Sequence, residues 1–180
     1  MAIAFESRAS LATRYKERKH TGNAPNRYLR EPNESHGIEL IFNSRSPLSR
    51  TELFAFHTNP DNLKVLLDGW KSSQIISTEG HIRPGAQVHV RESIGPFRFH
   101  LILEHFLYEQ PHRFGERMVK GIFKKFEHIH EFFDVEGEPG VTEVRDRITV
   151  KFPWRLAGAL TIKFVMARRL RKIFEFRRDA

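Results

Sequence analysis

The sequence predicts an α+β fold, a strongly bent antiparallel β-sheet of about seven strands wrapped around a long C-terminal helix, in the order β-α-α-β6-α. Three observations carry that expectation. Strand-like runs follow one another between residues 74 and 152, each closed by a Gly- or Pro-containing turn. Ahead of them, one strand leads into two short helices. Behind them, Arg155 to Arg177 places Leu156, Leu160, Phe164, Ala167, Leu170 and Phe174 at three- and four-residue steps, a stripe suited to lie on a sheet.

Residues 1–35 are rich in Arg, Lys, Asn, Ser and Pro without a sustained apolar period, and are expected to be a basic, flexible tail ahead of a single domain over 36–180. Arg and Ser in this leader suggest an organelle transit peptide, but Glu6 and Glu17 count against it. His36 to Asn43 is strand-like. Ser49, with Glu52 three residues on, has the spacing of a capping box and opens the helix T-E-L-F-A-F-H-T. Asn59-Pro60-Asp61 ends it and begins a second short helix that stops at Gly69. The strands then fall at Gln74–Thr78, Ala86–Ile94, Phe97–Glu109, Arg113–Lys120, Lys124–Val135 and Val141–Phe152, an antiparallel meander. Phe152-Pro153-Trp154 terminates the last of them.

The net charge of +8 divides unevenly along the chain: +3 over residues 1–35, −1 over 36–154 and +6 over 155–180. The body is neutral and carries no basic face interleaved with aromatics, so nucleic acid is not an expected partner. Cysteine is absent, which excludes disulfides and thiolate chemistry. No window approaches the roughly 18 apolar residues of a spanning helix. No G-x-S-x-G, no phosphate-binding Gly loop and no other nucleophile motif is present.

The polar residues that stand out are in the last two strands. Side chains alternate along a strand, so Phe126, His128, His130 and Phe132 share one face, while Lys125, Glu127, Ile129 and Glu131 share the other. In the partner strand Val144, Asp146, Ile148 and Val150 make the apolar face. Two imidazoles and a carboxylate therefore fall in an apolar register, where they are costly to bury unless hydrogen-bonded. They are read as a structural pair or as the polar lining of a cavity. As catalytic candidates, His128, His130 and Asp146 have the composition of an acid/base pair with an orienting carboxylate. As metal ligands the two histidines lack a third partner other than Asp146, and neither a metal nor a cofactor is expected. Glu92, Glu104 and Glu116 are further strand carboxylates.

This layout, with R-T-E-L-F-A-F-H-T-N-P-D-N-L, G-I-F-x-x-F-E-H-I-H-E-F, V-R-D-R-I-T-V-K-F-P and R-R-L-R-K-I-F-E-F-R, resembles the SRPBCC superfamily of START and Bet v 1-like helix-grip proteins over about residues 36–178. Within it, the polyketide cyclase/dehydrase-like and coenzyme Q-binding-like branch is the nearest pattern. Ile122 and Phe126 depart from that pattern, which often has Pro and Trp there, and Glu116 lies where relatives often carry an acid. The resemblance implies a hydrophobic small molecule, a lipid, quinone or polycyclic compound, held between the sheet and the C-terminal helix. Strand alternation then nominates the lining: Val88 and Val90; Phe97, Phe99, Leu101 and Leu103; Phe126, His128, His130 and Phe132; Val144, with Asp146 and Ile148; and Phe164 from the helix. The sixteen phenylalanines either line such a pocket or fill a core.

Two other functions stay open beside the binder. One is a cyclase- or dehydratase-type enzyme using the His/Asp pair. The other is a lipid or quinone chaperone, cytoplasmic but peripheral to an anionic membrane, docking through Arg168, Arg169, Arg171 and Lys172.

Overall fold

The structure, a computed structural model, describes residues 37–59, 62, 73–94, 97–151, 168 and 172. Its elements are β1 (Gly37–Ser46), α1 (Arg50–Thr58), β2 (Ser73–Thr78), β3 (Gln87–Ile94), β4 (Phe97–Glu109), β5 (Arg113–Lys120), β6 (Lys125–Asp134) and β7 (Thr142–Lys151). All seven strands form one antiparallel sheet in the order β1-β7-β6-β5-β4-β3-β2. The expected six-strand meander is present. What local pattern did not locate is β1, which crosses over to lie beside β7 through ten residue pairs, Gly37↔Lys151 to Ser46↔Thr142.

Local chemistry accounts for the elements. The capping box forms as expected: the Ser49 backbone N–H donates to Glu52 Oε2 at 3.1 Å, and the Glu52 N–H donates to Ser49 Oγ at 3.4 Å. Replacing such a cap by alanine costs about 1 kcal/mol. The helix stops where Pro60 follows Asn59. The last hairpin turns through Gly137 and Gly140, both at positive φ (76° and 80°), a conformation open to glycine at little cost. Register shifts between Ile75 and Ser77, between Ile102 and Leu103, and between His105 and Leu107 mark bulges, each of which bends its strand and increases its twist.

Helix α1 is fastened to the sheet by Leu53, Phe54 and Phe56, all 1% exposed or less. Each such side chain contributes roughly 1.5–3 kcal/mol on burial. Phe54 meets Tyr108, Phe114 and Phe132 edge-on at centroid distances of 5.5, 5.8 and 5.4 Å. At the same end, the buried Thr142 hydroxyl donates to the Leu48 carbonyl at 2.7 Å, tying the β1–α1 connection to β7.

The expected tail, the second short helix apart from Asn62, and the C-terminal helix apart from Arg168 and Lys172 lie outside the described residues. Asn62, Arg168 and Lys172 are helical, and the two basic residues are exposed. No helix among the described residues is long and apolar enough to cross a membrane.

Candidate functional site

The face of the sheet opposite its charged side is built by strict alternation. Along β7, Thr142, Val144, Asp146, Ile148 and Val150 are all buried, while Glu143, Arg145, Arg147, Thr149 and Lys151 are only partly so. On β6 the buried positions are His128, His130 and Phe132. On β3 and β4 they are Val88, Leu101, Leu103 and His105. Val90, Phe99 and Phe126 are half-buried at alternating positions of the same strands. The Phe97 side chain and Phe164 lie outside the described residues.

Strand register then assembles two rows across this face. One reads Phe42, Asp146, His130, Phe114 on β1, β7, β6 and β5. The next reads Ile148, His128, Glu116, His105 on β7, β6, β5 and β4. Five titratable side chains thus meet within an otherwise apolar surface.

His128 is the hinge of the group. Its Nε2 lies 3.0 Å from Asp146 Oδ1 and its Nδ1 lies 3.4 Å from Glu116 Oε1, so each ring nitrogen faces a carboxylate. His130 sits beside it with ring centroids 3.9 Å apart, stacked on Phe114 at 4.3 Å and 22°. Its Nδ1 lies 2.6 Å from the same Asp146 oxygen, but outside hydrogen-bond geometry, and that atom is buried without a hydrogen bond. Nδ1 of His105 is likewise buried without one. The His57 ring of α1 approaches His130 to 6.2 Å, so the helix closes over this end of the cluster.

Burial and neighbouring charge act against each other here. Burial alone would lower the His128 imidazole, but its contacts with Asp146 and Glu116 outweigh burial and raise it. For His130, burial and the adjacent charge of His128 prevail and lower it to about 4. Burial also lowers His105, with Glu116 opposing. Burial would raise the two carboxyls, yet the imidazoles hold Glu116 down to about 2 and keep Asp146 well below the usual carboxylate range. Near neutrality the cluster therefore holds two carboxylates and two neutral imidazoles, with His128 the imidazole that holds a proton most readily.

Such a group can orient a polar atom of a bound molecule, or hold and release a proton, since His128 and His130 differ in proton affinity while standing in contact. Glu116, His128 and His130 also each bring one possible ligand atom to within 4.8 Å of the others. Of these residues, alternation nominated His128, His130 and Asp146. The same alternation places His105 two residues past Leu103, and Glu116 two past Phe114, so their inward direction is present in the sequence. Arg168 and Lys172 are exposed; Arg169 and Arg171 lie outside the described residues.

No family model matches the sequence, and no curated protein matches it. Solved structures do resemble it. Ara h 8.0201 superposes with a TM-score of 0.55 at 13% identity, over 79% of this chain and 95% of that one. Ginseng major latex-like protein 151 from Panax ginseng gives 0.54 at 12%, over 78% and 97%. A norcoclaurine synthase point mutant from Thalictrum, in complex with a transition-state analogue, gives 0.57 at 11%, over 81% and 97%. At these identities the likeness is one of fold.

Proposed function

We propose that this chain, which has the Bet v 1-like helix-grip fold of the SRPBCC superfamily, binds a hydrophobic small molecule between its sheet and its C-terminal helix. The observation that carries this reading is the composition of one sheet face. Val88, Leu101, Leu103 and Phe126 share that face with a compact polar group of His105, Glu116, His128, His130 and Asp146, while Phe132 packs beneath helix α1. A mostly apolar wall with a few converging polar side chains is what a site for an apolar molecule with one or two polar atoms requires. The apolar wall supplies affinity and the imidazoles supply orientation.

The test is a titration of the full-length protein with a hydrophobic fluorescent probe such as 1-anilinonaphthalene-8-sulfonate. Saturable binding is expected, and Phe126→Asp, which places a charge at a half-buried position on that face, should weaken it by tenfold or more while circular dichroism stays unchanged. Non-saturable binding, or binding indifferent to Phe126→Asp in a folded variant, would overturn the reading.

A second reading rests on the 3.0 Å approach of His128 Nε2 to Asp146, which fixes one side of the imidazole and leaves the other directed at Glu116. This is the arrangement of an oriented proton carrier. The norcoclaurine synthase of similar fold, solved with a transition-state analogue, is an enzyme, which supports a catalytic reading here; the cyclase- or dehydratase-type reaction rests on the His/Asp pair alone. Under this reading His128→Gln preserves probe binding and abolishes turnover.

A further inference from the structure

We propose that Glu116, His128 and His130 form a binding site for a divalent first-row metal ion, with Asp146 as the carboxylate that orients His128. The proposal goes beyond the small-molecule reading and does not rest on it.

Three features of the geometry point this way. The first is the donor set, two imidazoles and one carboxylate on adjacent strands β5 and β6, with ligand atoms already within 4.8 Å of one another. Three protein donors of this kind leave a further coordination position open. The second is the 3.4 Å separation of His128 Nδ1 from Glu116 Oε1. That is long for a hydrogen bond to a carboxylate. It matches the edge of about 3.3 Å between two ligand atoms that bond a tetrahedral ion at about 2.0–2.1 Å. The third is the opposite nitrogen of the same ring, Nε2, 3.0 Å from Asp146 Oδ1. A histidine that donates one ring N–H to a carboxylate and turns the other nitrogen to an ion is the usual support of a metal-bound imidazole.

A further observation comes from His130, where the Nδ1 atom is buried but makes no hydrogen bond, despite its closeness to Asp146. A small rotation of this ring, stacked flat against Phe114, would bring a nitrogen toward the ion and relieve that atom. From the sequence alone, Asp146 is the nearest third ligand, and a single carboxylate argues against a metal. The register of β5 against β6 supplies Glu116 in its place and moves Asp146 to the outer, orienting role.

The experiment uses full-length protein treated with a chelator, then titrated with Zn²⁺ by calorimetry and with Co²⁺ by visible absorption. One equivalent of each is expected, with the intense visible band of low-coordinate cobalt. Glu116→Gln and Asp146→Asn should each weaken Zn²⁺ by about 10- to 100-fold, whereas His100→Ala should change nothing. Absence of uptake at metal concentrations well above the protein would overturn the proposal. So would uptake that survives Glu116→Gln and is lost in His100→Ala. Should Glu116→Gln fail to fold, cobalt's paramagnetism decides on the unmodified chain. Broadening of the His128 and His130 imidazole signals, with those of His89 and His100 left sharp, supports the site, and the reverse pattern refutes it.

Discussion

Among the described residues two close pairs of histidines lie one on each side of the sheet, and they are chemically unlike. His89 and His100, on β3 and β4, lie with ring centroids 5.1 Å apart and Nε2 of the first 3.0 Å from Nδ1 of the second, at the exposed surface. His128 and His130, two apart on β6, lie 3.9 Å apart and are buried, with Asp146 and Glu116 against them. Residue type and distance are similar. The difference comes from which face of the pleat each pair occupies, and it decides whether an imidazole is a solvated surface group or part of a coupled set of charges that water does not screen.

Breaking the inner set should have the largest effect. Asp146→Ala removes the carboxylate that touches both inner imidazoles and leaves His128 with Glu116 alone and His130 with no carboxylate in contact, a broken buried pair that costs about 3–5 kcal/mol. The melting midpoint should fall steeply, by circular dichroism or calorimetry. On the outer pair, His100→Ala should leave the midpoint unchanged within error. Similar losses for both would show that the face of the sheet does not set the energetics.

Next in size is the response to acid, measured as the melting midpoint of chelator-treated protein against pH. An unfolded His130 takes up a proton near the ordinary value of 6.5, and the folded one does so only near 4. Between these values the unfolded chain binds more protons, so stability falls as pH drops from about 6.5 to about 4, by an amount on the order of a few kcal/mol. Glu116, ionised in the fold down to about 2, extends the loss from about 4.5 downward. His128 acts in the opposite sense: its stabilisation is fully present below 6.5 and is lost as pH rises above 6.5 through its raised folded value. A maximum near neutrality is expected, with the limb between 6.5 and 4 flattened in His130→Phe, which retains the stack on Phe114. A flat profile over that limb in the unmodified chain would contradict the account.

Much of this architecture was legible in the sequence, for reasons that are local. The capping spacing of Ser49 and Glu52, the Gly and Pro turns and the alternation along β6 and β7 each specify structure within a few residues. Strand limits at β4 and β5 agree with the expected ones residue for residue. The placement of β1 beside β7 was not legible, since it pairs residues about a hundred positions apart and no short-range pattern encodes that choice. The same limit applies to the site. Alternation puts His128, His130 and Asp146 on one face, but whether Glu116 comes opposite His128 depends on the register set by the connection at 121–124. A slip of one residue would have turned Glu116 to the other face. His105 is a different case: its inward direction follows from Leu101 and Leu103, and only its meeting with Glu116 needed the structure.

On the proposed reading, a hydrophobic small molecule is held on the inner face of the sheet, apolar around its buried charges. Native mass spectrometry of the freshly purified full-length protein, followed by organic extraction, tests it most directly. An added mass of a few hundred daltons that leaves on extraction is expected, and it should be absent from a folded Phe126→Asp variant. The bare mass of the chain, together with no saturable uptake of the hydrophobic probe, would contradict it.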